Sequence, residues 1–298
     1  MAQRKTVGII GLGDMGGNIA RSLHNGGYSL LVYDRNSEKY STFSHLDNIQ
    51  FFNSIDELSS KINELDTRII WMMLPAGVIT NSTVESLSKI LRKETILIDG
   101  SNSVYDESVK NSILMKNKGL FYLDVGCAGG PSDLKDGVAL MVGGDKIAFK
   151  VTEDVFAKVS KNGTYGYVGP SGAGHATKLV HNMIFYSIFP AYAEGVALLN
   201  GLQNSNNINM NEALRLLSKS PPITTGIMNA VVELYKENKI PQNAPEIKIS
   251  EMVKSGSAKA ESIGIMMGVT NAILNAYSTM PDMAKRVYVG AKKIITGH

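Results

Sequence analysis

The stretch VGIIGLGDMGGNIARSLHNGGYSLLVYDRN, residues 7–36, narrows the folds open to this chain more than any other. An apolar, strand-like run ends at Gly11, with Gly13 and Gly16 following in G-x-G-x-x-G spacing and a helix-period segment over Met15 to His24. In that arrangement the glycines allow a tight turn, let the backbone approach a pyrophosphate and bring the helix close to the strand. The helix N-terminus then favours the anion. The segment stops at Asn25-Gly26-Gly27, a second strand-like run follows, and Asp34 closes it. It stands about twenty residues beyond the glycines, where an acid bonds the adenosine ribose hydroxyls.

Strand, glycines, helix, strand and acid in that order read as a Rossmann nucleotide site rather than a tight turn without a ligand. Gly11, Leu12, Gly13, Asp14, Met15 and Gly16 are the candidate pyrophosphate residues, with Asp34 and Arg35 at the ribose. A carboxylate at Asp34 repels a 2′-phosphate, so NAD is the expected cofactor. Arg35 beside it can stack on adenine or salvage NADP binding.

The alternation continues through YSLLVY, RIIWMM, TILID, LFYLDVG and VALMVGG, with helix-period segments at Val78 to Leu91, Tyr105 to Lys116 and Ile147 to Val159. Strict alternation of this kind predicts a mostly parallel sheet covered by helices on both faces. From Ala176 onward the period is helical, at 176–200, 210–219, 225–238, 245–254, 258–277 and 282–294, punctuated by prolines. The expected organisation is an α/β Rossmann-type domain over 1–170, followed by an all-α domain over 171–298 for substrate binding and dimerisation.

Composition restricts the function classes. A net charge of +3 with no basic run gives no case for a nucleic-acid or membrane-surface partner. Cys127 is the sole cysteine, which excludes an intramolecular disulfide and fits a reducing, cytoplasmic setting. The five histidines show no ligand spacing with acids, so no metal site is expected. The long apolar stretch from Leu179 to Leu199 contains His181, Asn182, Pro190 and Glu194, costly in lipid, and reads as a buried helix.

That helix carries the most informative cluster. Within GHATKLVHNMIFYSIFPAYAEG, residues 174–195, Lys178, His181 and Asn182 stand at i, i+3 and i+4, and Phe185 continues the same face. A lysine on an apolar helix commonly snorkels at a domain edge, His181 could be a satisfied core histidine, and Asn102 could merely shape a turn. Cys127 reads as a small packed residue.

Taken with MMLPAG at 72–77, DGSNS at 99–103, Gly129-Gly130, LMVGGD at 140–145 and YVGPSGAGHATKLVHN at 167–182, the chain resembles the β-hydroxyacid dehydrogenases. Within them it is most similar to the short-chain form of 6-phosphogluconate dehydrogenase. The resemblance covers essentially the whole length, and its most specific part is GPSGAGH followed by K-L-V-H-N. It implies NAD-dependent oxidation of a 3-hydroxy acid and loss of its carboxylate, with Lys178 as general base and Asn182 holding the carbonyl oxygen. It also places Asn102, residues 128–130 (Ala128, Gly129, Gly130), His181 and Tyr186 at the substrate, and Leu74, Pro75 and Ala76 as a wall beside the cofactor, which Asn102 also approaches. It further implies a homodimer whose C-terminal tail, with Lys292 and His298, reaches the partner's active site.

Three positions depart from the family pattern. Phe185 stands where a glutamate acts as an acid, Ala128 where a serine bonds the carboxylate, and Thr224 where an arginine takes the phosphate. A phenyl ring gives no proton, and a threonine offers neither the charge nor the fork of a guanidinium. These departures keep two alternatives open: a 3-hydroxyisobutyrate dehydrogenase-like enzyme acting on another acid without obligatory decarboxylation, and a cofactor-binding protein without catalysis.

Overall fold

The computed structural model describes residues 5–129, 137–206, 208–219, 226–243 and 280–296, with 272 and 275. Gly130, Thr224, His298 and the expected helices at 245–254 and 258–277 lie outside the described residues, 272 and 275 apart. The chain divides into two compact units, Met1–Lys178 and Leu179–His298.

The first unit is built on one sheet of β1 (Thr6–Ile10), β2 (Ser29–Tyr33), β3 (Ile49–Phe51), β4 (Ile69–Met72), β5 (Ile96–Asp99), β6 (Phe121–Ala128), β7 (Val138–Gly144) and β8 (Ser160–Gly169). Their spatial order is β3-β2-β1-β4-β5-β6-β7-β8. Every neighbouring pair is parallel except β6 with β7. β4 and β5 are buried at every residue, as expected for strands with helices on both faces. Ile9, Trp71, Ile98, Val125 and Phe156 belong to the core on one face of the sheet, and Ile10, Ile70, Leu97 and Leu58 to the core on the other.

The order of strands reverses between β1 and β4, and such a switch point opens a crevice at the carboxyl ends of the strands. Backbone bonds align those ends: the Gly11 amide donates to Tyr33 O, that of Met73 to Ile10 O, and that of Gly100 to Met72 O. All three residue groups expected at the cofactor, around Gly11, Asp34 and Leu74, emerge there.

The helices of this unit are α1 (Asp14–Asn25), α2 (Ile55–Asn63), α3 (Val78–Ile90), α4 (Tyr105–Asn117), α5 (Lys146–Val151) and α6 (Glu153–Val159). The helix expected over Ile147 to Val159 is thus two helices. The break falls at Thr152, whose hydroxyl donates to the carbonyls of Ala148 and Phe149 at 2.8 and 3.2 Å, a local bond that competes with helix propagation. Two strands had no sequence signature, β3 and β8. Both are edge strands, and SKNGTYGYVG in β8 has little of the apolar periodicity that marks a buried strand.

A single helix, α7 (Ala173–Asn206), leaves the first unit and enters the second. There it is followed by α8 (Met210–Leu217), α9 (Gly226–Lys236) and α10 (Asp282–Thr296), with no strand among the described residues. Val196, Leu214, Val231, Leu234, Val287 and Tyr288 form the core of this unit. Among the described residues no helix is long and apolar enough to cross a membrane.

Candidate active site

The three glycines of the fingerprint do different work. A Cβ on Gly16 would collide with the Gly11 carbonyl, and one on Gly11, which has φ +97°, would collide with the Met73 carbonyl. Both are required by the packing of α1, β1 and the chain leaving β4, whether or not a ligand is bound. Gly13 has open space where its Cβ would stand, so the fold does not need a glycine there. It is also the N-cap of α1 and offers no side-chain capping bond. An uncapped helix N-terminus with bare backbone in front of it suits a pyrophosphate, and the residues present therefore fit a dinucleotide.

A cleft of about 340 Å³ opens beside this turn, lined by Gly11, Gly13, Asp34, Arg35, Leu74 and Pro75, among others. Lys39, Ile79 and Thr83 line it too and were not singled out from the sequence. The Asp34 carboxylate accepts the Leu12 amide at 2.6 Å and the Lys39 ammonium at 3.0 Å on Oδ2, and the Asn36 amide at 2.8 Å on Oδ1. Burial pushes its pKa up, but the two amides and Lys39 outweigh burial and leave it below the usual carboxylate value. Asp34 is thus an anion held at the crevice, with cationic Arg35 and Lys39 lining the same cleft. Met15 packs against the sheet core, Leu12 is buried and Ala76 is exposed.

The DGSNS loop after β5 is fixed from beneath. Asp99 is fully buried and accepts the Ser101 amide at 3.0 Å and the Tyr122 hydroxyl at 2.6 Å. The hydroxyls of buried Ser101 and Ser103 bond each other at 2.7 Å, and Asn102 between them is left exposed. Burial and then the Asp99 charge hold the Tyr122 phenol protonated, well above its ordinary range.

The start of α7 is locked to β6 and β7 by a carboxylate and by close approaches at two glycines. Buried Asp124 accepts the Gly172 amide at 2.7 Å and the His175 amide at 3.0 Å, capping the helix from another strand. A Cβ on Gly143 would stand 2.5 Å from the Gly174 amide, and one on Gly126 would stand 2.5 Å from Lys178 Cβ. Glycine at both positions lets the helix sit against the sheet, pressing the lysine stem onto β6.

Lys178 is buried as a result, with 8% of its surface exposed. Burial brings its pKa down from the ordinary 10.5 to about 8, and neighbouring Cys127 acts weakly in the opposite sense. The Cys127 thiol is itself pushed up to about 12 by burial, so at neutral pH it is uncharged and places no anion beside the amine. An amine of this kind is available in its neutral form near physiological pH, which is what a general base requires.

The remaining candidates on α7 belong to the helical unit. His181 and Asn182 bond through Nδ1 and Oδ1 at 3.3 Å. Phe185 stacks on His181 with ring centroids 6.3 Å apart, meets Tyr186 edge-on at 5.5 Å, and packs against the core of that unit. Burial raises the Tyr186 phenol. Lys292 is half-buried on α10. In the first unit, Ala128 ends β6 half-buried and Gly129 follows it exposed.

Comparison with known proteins bears on the same residues. A family model described as the NAD binding domain of 6-phosphogluconate dehydrogenase matches residues 6–169. An NADP(+)-dependent, decarboxylating 6-phosphogluconate dehydrogenase of Bacillus subtilis is 34% identical over 204 residues, covering 66% of this chain. The match spans only 43% of that relative's length. An NAD(+)-dependent, decarboxylating 6-phosphogluconate dehydrogenase of Haloferax volcanii is 28% identical over 232 residues, 78% of this chain and 75% of its own. In fold, a 3-hydroxyisobutyrate dehydrogenase of Mycobacterium tuberculosis superposes with a TM-score of 0.77 at 18% identity, over 96% of this chain and 99% of that one.

Proposed function

The chain belongs to the family of the 6-phosphogluconate dehydrogenase NAD binding domain, and on that footing we propose that it oxidises and decarboxylates 6-phosphogluconate or a closely related sugar acid. NAD, when bound, supplies the hydride acceptor. Lys178 takes the proton of the hydroxyl that is oxidised. Asn182, four residues on along α7, holds the resulting carbonyl oxygen together with the now protonated lysine, which stabilises the enolate left by departing carbon dioxide.

Asn102 and residues 128–130 contact the substrate beside the nicotinamide, and His181 reaches one of its hydroxyls. Tyr186, Thr224, Lys292 and His298 serve its far, anionic end, the last two from the tail of a partner subunit in a homodimer. Leu74, Pro75 and Ala76 wall the cofactor. The observation that carries the reading is Lys178: a buried lysine with its pKa brought to about 8, clamped to β6 of an NAD-binding domain.

Phe185 favours a second reading. It sits in an aromatic cluster with His181 and Tyr186 on an apolar core, which among the described residues supplies no carboxyl group at that place. The alternative is therefore a dehydrogenase that acts on a smaller or unphosphorylated 3-hydroxy acid and does not need an acid after hydride transfer. The two readings separate in one assay of 6-phosphogluconate against small 3-hydroxy acids, following reduced cofactor and carbon dioxide together. No turnover of 6-phosphogluconate at saturating NAD sinks the first, and carbon dioxide release in step with cofactor reduction sinks the second.

A further inference from the structure

His175 lies one helical turn before Lys178 and is 3% exposed, yet nothing in the mechanism uses it. Its Nδ1 stands 2.6 Å from the Ser108 hydroxyl of α4, and the same hydroxyl reaches the Val104 carbonyl at 3.2 Å. Ser108 has one proton to give. If the proton goes to Nδ1, the Val104 contact is left unused. If it goes to Val104 O, Nδ1–H donates to Ser108 Oγ and both contacts are made. The second arrangement fixes the tautomer, protonated at Nδ1, and leaves Nε2 as a bare lone pair. That nitrogen is buried and has no hydrogen-bond partner among the described residues.

An acceptor left unpaired in a protein interior is costly, and one placed at a reacting turn has a use. Once Lys178 has taken a proton it is an ammonium in a buried place, and its N–H groups require acceptors. The long lysine side chain leans back toward the N-terminus of its helix, over the turn that carries His175. We infer that His175 is the positioning residue of the base, tying its helical turn to α4 through Nδ1 and offering Nε2 to the ammonium that Lys178 becomes. This rests on Lys178 being the base.

Among the described residues of β5, β6, β7 and α4, the other ionisable groups around the turn are already engaged or neutral. From β6, Asp124 is committed to the Gly172 and His175 amides, Tyr122 to Asp99, and Cys127 is an uncharged thiol. From β5, Asp99 is taken by Ser101 and Tyr122. From α4, Tyr105 packs where a Cβ on Gly172 would lie. β7 presents Gly143 and the Met141 carbonyl.

The test is the pH profile of kcat/KM for His175→Asn and His175→Gln beside the wild type, with Ser108→Ala and Lys178→Met in support. His175→Asn keeps a donor at the Nδ1 position and removes Nε2, while His175→Gln returns a side-chain oxygen near Nε2. The acid limb of His175→Asn is expected to move down by about one pH unit with about a tenfold loss of kcat, because the ammonium loses its acceptor. In His175→Gln the limb is expected to return toward the wild type. A His175→Asn limb coincident with wild type, or the same displacement in both variants, overturns the inference and leaves the imidazole as a wedge between α4 and α7. Should His175→Asn fail to fold, Ser108→Ala decides: it removes the acceptor of Nδ1–H and with it the bond that keeps Nε2 bare, so its limb is expected to move down in the same sense, and a limb coincident with wild type overturns the inference. Lys178→Met serves as the control. Activity surviving in it removes the base itself, whereas an inactive Lys178→Met with an unmoved His175→Asn limb removes only the role given to His175.

Discussion

Replacing Lys178 with methionine is expected to make the protein more stable while abolishing turnover. The lysine is 8% exposed and its pKa falls from 10.5 to about 8 on folding, chiefly through burial. At roughly 1.4 kcal/mol per pH unit, holding this group as a cation in the folded chain costs about 3 kcal/mol at pH 7. The sign follows from proton counting. Between about pH 8 and 10.5 the unfolded chain holds the proton and the folded chain has released it, so stability rises with pH across that window. Below pH 8 both states are protonated and the full cost is present. Methionine has a similar length and no charge, so Lys178→Met gains about 3 kcal/mol at pH 7 and less than half of that near pH 9.5. Urea unfolding followed by circular dichroism at both pH values measures it. A variant no more stable than wild type at pH 7, or one whose advantage is the same at both pH values, refutes the claim that burial sets the basicity of this lysine.

Three further outcomes follow from the same geometry. Gly126→Ala places a methyl group 2.5 Å from Lys178 Cβ and 2.8 Å from the Gly174 carbonyl. It should cost about 1–3 kcal/mol in a denaturant melt and lower kcat by displacing the base; an unaffected kcat contradicts the seating of α7 on β6. Tyr122→Phe removes a 2.6 Å hydroxyl bond from a buried carboxylate, for an expected loss of about 2 kcal/mol. A thermal or urea melt unchanged by that variant shows that Asp99 does not depend on Tyr122. Asp34→Asn takes away the anion at the cleft while leaving Arg35 and Lys39, so the ratio of kcat/KM for NADP to that for NAD should rise about tenfold or more. Initial rates with both cofactors check this, and an unchanged ratio means that the carboxylate does not select between them.

The sheet was legible wherever its strands are buried on both faces, because IIWM and ILID can lie nowhere else in a polar solvent. The glycine turn and Asp34 were legible because one short segment holds every part of that motif. Lys39 was not: it falls in a polar run and reads as an exposed lysine until the chain turns it back onto Asp34. The Asp124 cap was hidden for a different reason. The carboxylate and the amides it holds are 48 and 51 residues apart, and only the fold brings them together. A lone acid inside the apolar run LFYLDVG was the available signal, since a strand buried on both faces does not carry an unpaired charge. Thr152 and β8 escaped because each is settled by local hydrogen bonding or edge pairing rather than by apolar periodicity.

Lys178 and Phe185 are seven residues apart on one helix, but different parts of the protein maintain them. The basicity of Lys178 is set in the first unit chiefly by burial, through glycines that admit the helix and an aspartate that caps it. Phe185 is held by the core of the helical unit, where it packs and stacks on His181. An acid cannot simply be put back at that position. A glutamate there would place a half-buried carboxylate among His181, Tyr186 and apolar side chains, which disfavours its charged form. On the proposed reading, the base is therefore held by the first unit, and the position where the family pattern has an acid is held by the core of the second.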